Sequence, residues 1–70
     1  MKLSARNVLP GKIVSVKKGP ISSLVVIEIA PGVKLTSVVT ANAATELKLK
    51  KGTTAYAVIK SSSIMLGIDD

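Results

Sequence analysis

The chain has no cysteine and no histidine among its 70 residues, and Tyr56 is its only aromatic side chain. Without cysteine there is no disulfide to staple the fold and no thiolate to hold a metal. Without histidine the commonest acid–base group and metal ligand is missing. Acids are scarce as well, with only Glu28, Glu46, Asp69 and Asp70. Two of these stand at the terminus, and Glu28 and Glu46 fall in different predicted elements, so no carboxylate pair is set up. Calcium and magnesium need several oxygen ligands, usually carboxylates, so no direct cation ligands are predicted. Serines are plentiful, but a nucleophilic serine needs an adjacent base. Lysine is the only base on offer, and no spacing singles out a dyad. These absences argue against an enzyme. No apolar run approaches the length of a membrane span. Met1-Lys2-Leu3 leads into Ser4-Ala5-Arg6-Asn7 without an apolar h-region. No signal peptide and no membrane partner are therefore expected, and the predicted location is cytoplasmic.

Apolar residues make up 47% of the chain and the formal charge is +6. One domain, residues 1–70, is all this length allows. A chain so short buries only roughly 60% of its unfolded surface. Small domains without staples often gain stability by associating with copies of themselves, and the apolar content exceeds what one tiny core needs. The positive charge fits a polyanion, an acidic membrane or a small anion without choosing among them.

Turn signals fall at Pro10-Gly11, Gly19-Pro20, Pro31-Gly32 and Gly52. Between them lie β-branched runs at Lys12–Lys18, Ile21–Ala30, Val33–Thr40, Thr53–Ser61 and Ser63–Ile68. Five strands at this spacing predict an all-β fold, a small five-stranded barrel. The interval Ala41–Leu49, rich in Ala, Leu, Glu and Lys, predicts one short helix with Asn42 as its N-cap. Alternation along the second run sets Ile21, Ser23, Val25, Ile27 and Ile29 on one face. Ser22, Leu24, Val26 and Glu28 take the other. Leu24 and Val26 leave that outer face half apolar, which predicts a covering subunit. The terminal Asp69-Asp70 pair is expected to fray.

Hydrogen-bond donors remain. They cluster at Ser4, Arg6 and Asn7; at Lys60-Ser61-Ser62-Ser63; at Gly19-Pro20-Ile21-Ser22-Ser23 after Lys17-Lys18; and at Thr36-Ser37 with Thr40. In an extended segment Ser4 and Arg6 share a face. Hydroxyls, amides, a guanidinium and ammonium groups suit a small oxyanion, because hydrogen bonds to a charged group are about twice as strong as neutral ones. Each cluster also has an ordinary reading, since Ser and Thr often bond only local backbone and lysine guards strand edges.

Four stretches in order are similar to the molbindins, small molybdate-binding proteins: Ser4-Ala5-Arg6-Asn7, Gly11-Lys12-Ile13-Val14, Leu35-Thr36-Ser37-Val38-Val39-Thr40 and Ala57-Val58-Ile59-Lys60-Ser61-Ser62. The likeness runs over nearly the whole chain. It implies an OB-like barrel of the TOBE type, assembled as a homohexamer that is a trimer of dimers. It implies molybdate or tungstate bound between subunits, for intracellular storage. On this likeness Ser4, Ala5 and Arg6 supply oxyanion ligands, and Lys60 and Ser61, with Ser62 beside them, supply donors from a neighbouring chain. Gly19, Pro20, Ile21 and Ser22 occupy the region of a second oxyanion site. Pro20 departs from the family there and offers no amide hydrogen. Ala43 stands where relatives often carry serine. Two other readings stay open. An OB-type nucleic-acid-binding module would fit the charge, although such modules stack bases on aromatics and Tyr56 stands alone. A purely structural oligomer would leave the donors without a ligand.

Overall fold

The computed structural model describes residues 4–69. Met1-Lys2-Leu3 and Asp70 lie outside the described residues, and with them the expectations for the N-terminal start and the last acid. The elements run β1 (Asn7–Lys18), β2 (Ser22–Ala30), β3 (Val33–Thr40), α1 (Ala41–Glu46) and β4 (Thr54–Ile59), followed by a single 3-10 turn at Ser61–Ser63. The strands form one antiparallel sheet in the order β3-β2-β1-β4. The fold is all-β with one short helix, as the residue pattern predicts, and OB-like, as the family resemblance implies.

The twelve-residue β1 organises the sheet. Its first half, Asn7–Lys12, pairs with β4, and its second half, from Lys12 on, pairs with β2. A register shift between Ile13 and Ser15 marks the change of partner. Such a bulge bends a strand and strengthens its twist, which curls the sheet. Pro10-Gly11 is therefore not a turn, contrary to the sequence reading, but lies inside β1. Proline fits because the β2 ladder begins only at Lys12, so β1 has one neighbour at Pro10. Glycine fits because β2 passes close by: a Cβ on Gly11 would lie 2.5 Å from the Glu28 carbonyl oxygen. Pro31-Gly32 is a true turn, with Gly32 at φ 77° closing the β2–β3 hairpin.

The core is small. Ile13, Val25, Ile27 and Ala44 are buried, and Ser23 is enclosed with them. The alternation in β2 holds: Ser23, Val25 and Ile27 face inward, and Leu24 is exposed on the outer face. Ile21 precedes the strand and is 82% exposed, so it does not join the inner face. The helix is capped by Thr40, whose Oγ1 accepts from the Ala43 amide at 3.0 Å. The cap falls two residues before the predicted Asn42 because Thr40 still holds the extended backbone that a cap needs (φ −66°, ψ 153°), while Asn42 is already helical. The helix ends at Glu46, short of Leu49, because Lys48 takes the left-handed φ of 53°.

The predicted fifth strand differs. After the turn at Ser61–Ser63, the segment to Asp69 joins no ladder within the described residues. Met65, Leu66 and Ile68 are at least 90% exposed. The radius of gyration is 13.0 Å, against about 11 Å for a compact chain of this length. Among the described residues, both sheet edges, β3 and β4, are therefore free. A cavity of about 280 Å³ lies between them, lined by Ile27, Leu35, Thr36, Ser37, Ala57 and Ile59 among others.

Candidate functional site

Strand pairing brings together segments from the two ends of the chain. The β1–β4 ladder starts at Asn7 opposite Ile59. Ser4-Ala5-Arg6 immediately precedes that rung and Lys60-Ser61-Ser62 immediately follows it, so both leave the sheet at the same end. The two donor clusters thus already share one sheet end within a single chain. Ser4 and Arg6 sit at bends ahead of β1 and are exposed, so they do not belong to an extended strand as the alternation supposed. Ala5 between them is partly covered, and Lys60, Ser61 and Ser62 are exposed.

Local hydrogen bonding shapes each half. The 3-10 turn uses the Ser63 amide, bonded to the Lys60 carbonyl at 2.9 Å, and the Ile64 amide, bonded to the Ser61 carbonyl at 3.4 Å. The amides of Ser61 and Ser62 stand at the start of that turn, where N–H groups have no partner inside it. The Asn7 side chain crosses the rung, and its Nδ2 donates to the Ile59 carbonyl at 3.3 Å. The cluster is thus rich in donors and carries two permanent-type cations, Arg6 and Lys60, with no acid among its members. No group of His, Cys, Asp and Glu suited to a metal ion exists among the described residues.

The second predicted cluster lies at the other end of β1 and is partly spent on the fold. The Gly19 amide donates to the Ser22 carbonyl at 2.9 Å, and Pro20 has no amide hydrogen. The Ile21 carbonyl accepts from the Ala41 amide at 2.9 Å, which ties this turn to the start of the helix. Of the four residues, the Ile21 and Ser22 amides and the Ser22 hydroxyl are what remain as donors beside Lys17 and Lys18. Thr36 and Ser37 lie elsewhere, on the cavity between β3 and β4. A further surface cavity of about 320 Å³ includes Lys12 but also Glu28. A carboxylate there repels an anion, so this cavity does not compete with the donor clusters.

Sequence reasoning placed Asn7 in the first cluster but gave it no part of its own. The signal was its position as the last residue of Ser4-Ala5-Arg6-Asn7; the partner, 52 residues away, was not visible from the chain alone.

The curled sheet with its basic donor ends defines a class of small OB-like domain, and comparison with known proteins agrees. The TOBE domain family model matches residues 3–66. The chain is 46% identical over 69 residues to the probable molybdenum-pterin-binding protein of Haemophilus influenzae, covering 99% of this chain and all of that one. Among solved structures, MopII from Clostridium pasteurianum is 43% identical with a TM-score of 0.89, over 96% of this chain and all of that one. The cytoplasmic molybdate-binding protein ModG, crystallised with molybdate bound, is 40% identical with a TM-score of 0.92. The alignment covers 99% of this chain and 49% of ModG. The chain belongs to the TOBE-domain family, and within it to the molbindins.

Proposed function

We propose that this chain binds molybdate, with tungstate as the isostructural alternative, in the cytoplasm, and that it stores or buffers the anion rather than transforming it. The observation that carries this reading is the meeting of Ser4-Ala5-Arg6 with Lys60-Ser61-Ser62 at one end of the β1–β4 ladder. The names of its relatives, which bind molybdate or molybdenum-pterin, support the choice of ligand. The chemistry is consistent. Molybdate at neutral pH is a tetrahedral dianion that only accepts hydrogen bonds. The Arg6 guanidinium, the Lys60 ammonium and the serine O–H groups can all be turned toward such an anion. Protonated phosphate brings a donor of its own, which only a serine oxygen or a backbone carbonyl can accept, so it uses this donor-rich cluster less well. Sulfate carries no such proton, so size must exclude it. Arg6 and Lys60 supply charge; Ser4, Ser61, Ser62 and the backbone supply geometry. Gly19, Pro20, Ile21 and Ser22 form the candidate second site, with fewer free donors.

The working form is a homo-oligomer, for which the family likeness suggests a hexamer built as a trimer of dimers. Two features support association. Ile64, Met65, Leu66 and Ile68 are apolar and exposed along a tail that joins no ladder among the described residues. The apolar cavity between the free edges of β3 and β4 is the place a fifth strand would fill. A tail from a second copy, laid between those edges, would close the barrel and hide the apolar side chains. The Lys60–Ser62 segment leads directly into that tail, so exchange of tails would join the donor clusters of two copies at the interface. Anion binding would then favour the oligomer by mass action.

Titration calorimetry with molybdate, paired with native mass spectrometry, tests this reading. The protein should bind molybdate and hold its oligomer more firmly with it. Arg6→Ala should remain folded and lose roughly 10- to 100-fold in affinity, as expected for a charged hydrogen bond. A monomer indifferent to molybdate, or an Arg6→Ala variant with undiminished affinity, refutes the assignment.

A further inference from the structure

We propose that Asn7 is a positioning residue for the oxyanion site: it does not touch the anion but locks the two donor segments side by side. This rests on the site reading above. Three side-chain hydrogen bonds occur among the described residues. Two of them stay within the helix region: Ala43 N to Thr40 Oγ1, and Thr45 Oγ1 to the Ala41 carbonyl. The third, Asn7 Nδ2 to the Ile59 carbonyl at 3.3 Å, joins residues 52 apart and is partly buried. Its location is specific. Asn7 directly follows Arg6, and Ile59 directly precedes Lys60. The bond therefore sits on the last rung of the β1–β4 ladder, where a two-stranded end would otherwise fray. Beyond that rung the chains part, one into the bends at Ser4 and Arg6, the other into the 3-10 turn.

The electrostatics explain why a lock is needed there. Arg6 and Lys60 bring two positive charges to one sheet end, and before an anion arrives they repel each other. That repulsion acts to open the last rung. The Asn7 side chain opposes the opening with a neutral donor, so the lock adds no further charge. A pre-formed cluster binds its ligand without first ordering two loose ends, which is where a positioning residue contributes affinity. One of the two Nδ2 hydrogens is committed to the Ile59 carbonyl, and that bond is all the lock requires.

The test uses the full chain and sodium molybdate. Asn7→Ala should bind roughly three- to tenfold more weakly, the scale of one modest hydrogen bond. Asn7→Leu, similar in bulk but without a donor, should behave alike. In a Lys60→Ala background the same change should cost clearly less, because the segment being positioned has lost its one charged donor. Equal losses in both backgrounds would show a merely structural role and overturn the proposal. If Asn7→Ala does not fold, the unmutated protein decides. In isotope-labelled protein, a scalar coupling from Asn7 Nδ2 to the Ile59 carbonyl carbon should persist when molybdate is added. Its disappearance would mean that Asn7 turns onto the anion, against the proposal. If the unmutated protein binds no molybdate, the site reading itself falls. Binding with Asn7→Ala affinity unchanged sinks this inference alone.

Discussion

Gly11→Ala should unfold this protein well below the wild-type temperature, although alanine is the mildest side chain that can be added. Gly11 lies inside β1, opposite Ala55 of β4. A Cβ there would come within 2.5 Å of the Glu28 carbonyl oxygen, 2.9 Å of Ile27 Cγ1 and 3.1 Å of the Glu28 carbonyl carbon. Carbon and oxygen at ease sit about 1 Å farther apart. Two of the three obstacles are backbone, and Glu28 is held in register with Lys12 on one side and Lys34 on the other. Neither atom can swing away as a flexible side chain would. Relief requires β1 and β2 to separate where the bulge already strains their pairing. Overpacking of this kind typically costs about 1–3 kcal/mol. The stiffer unfolded chain returns about 0.4–1 kcal/mol. The difference spans about 0–2.6 kcal/mol, and its central value of about 1.3 kcal/mol lowers the melting temperature of a domain of this size by roughly 5–10 °C. Calorimetric melts at one fixed protein concentration measure it, since association shifts Tm with concentration. Gly11→Val should fall further, as its branches enter the same space. A Gly11→Ala protein that melts at or above wild type refutes the close approach of β2 to β1 on which the estimate rests.

If tails are exchanged between copies as proposed, Leu66→Asp should leave only the mass of a single chain in native mass spectrometry, because a charge on the exposed apolar tail opposes burial in a second copy; an oligomer of unchanged mass removes the tail from the interface. Thr40→Ala should lower stability to chemical denaturation by about 1 kcal/mol through loss of the helix cap, and Thr40→Ser should retain most of it. Equal stability of both variants would show that the Thr40–Ala43 hydrogen bond contributes nothing.

Local patterns carried much of this fold. Alternation alone sorted Ser23, Val25 and Ile27 inward and Leu24 outward, because a half-buried strand has a period of two. Pro31-Gly32 announced its hairpin, because only a glycine takes the positive φ at that turn without strain. Misreadings arose where a residue's meaning depends on its neighbours in space. Pro10-Gly11 has the composition of a turn, yet one missing strand neighbour and one close backbone make it strand. Asn42 is a good cap by type, but Thr40 holds the cap geometry. Ser63–Ile68 has the composition of a strand, and a strand needs an edge to pair with; this chain's tail stands away from its own edges. The donor segments themselves were legible from their residue types and from the family likeness. The likeness joined them in one site across two chains; that they share a sheet end within a single chain was not legible, because the rung that joins them links residues 52 positions apart.

That separation also sets the order of events during synthesis. Ser4 to Arg6 leave the ribosome before any strand of this sheet, while β4 and Lys60 to Ser62 follow only after every other strand. The long loop between them must close before the last rung forms, and contacts of such high sequence separation are slow to establish. A nascent chain can build the β1–β2–β3 meander early, but the meeting of Ser4-Ala5-Arg6 with Lys60-Ser61-Ser62 waits until β4 docks. On the proposed reading, capture of the anion at that end is thereby reserved for chains in which β4 has docked.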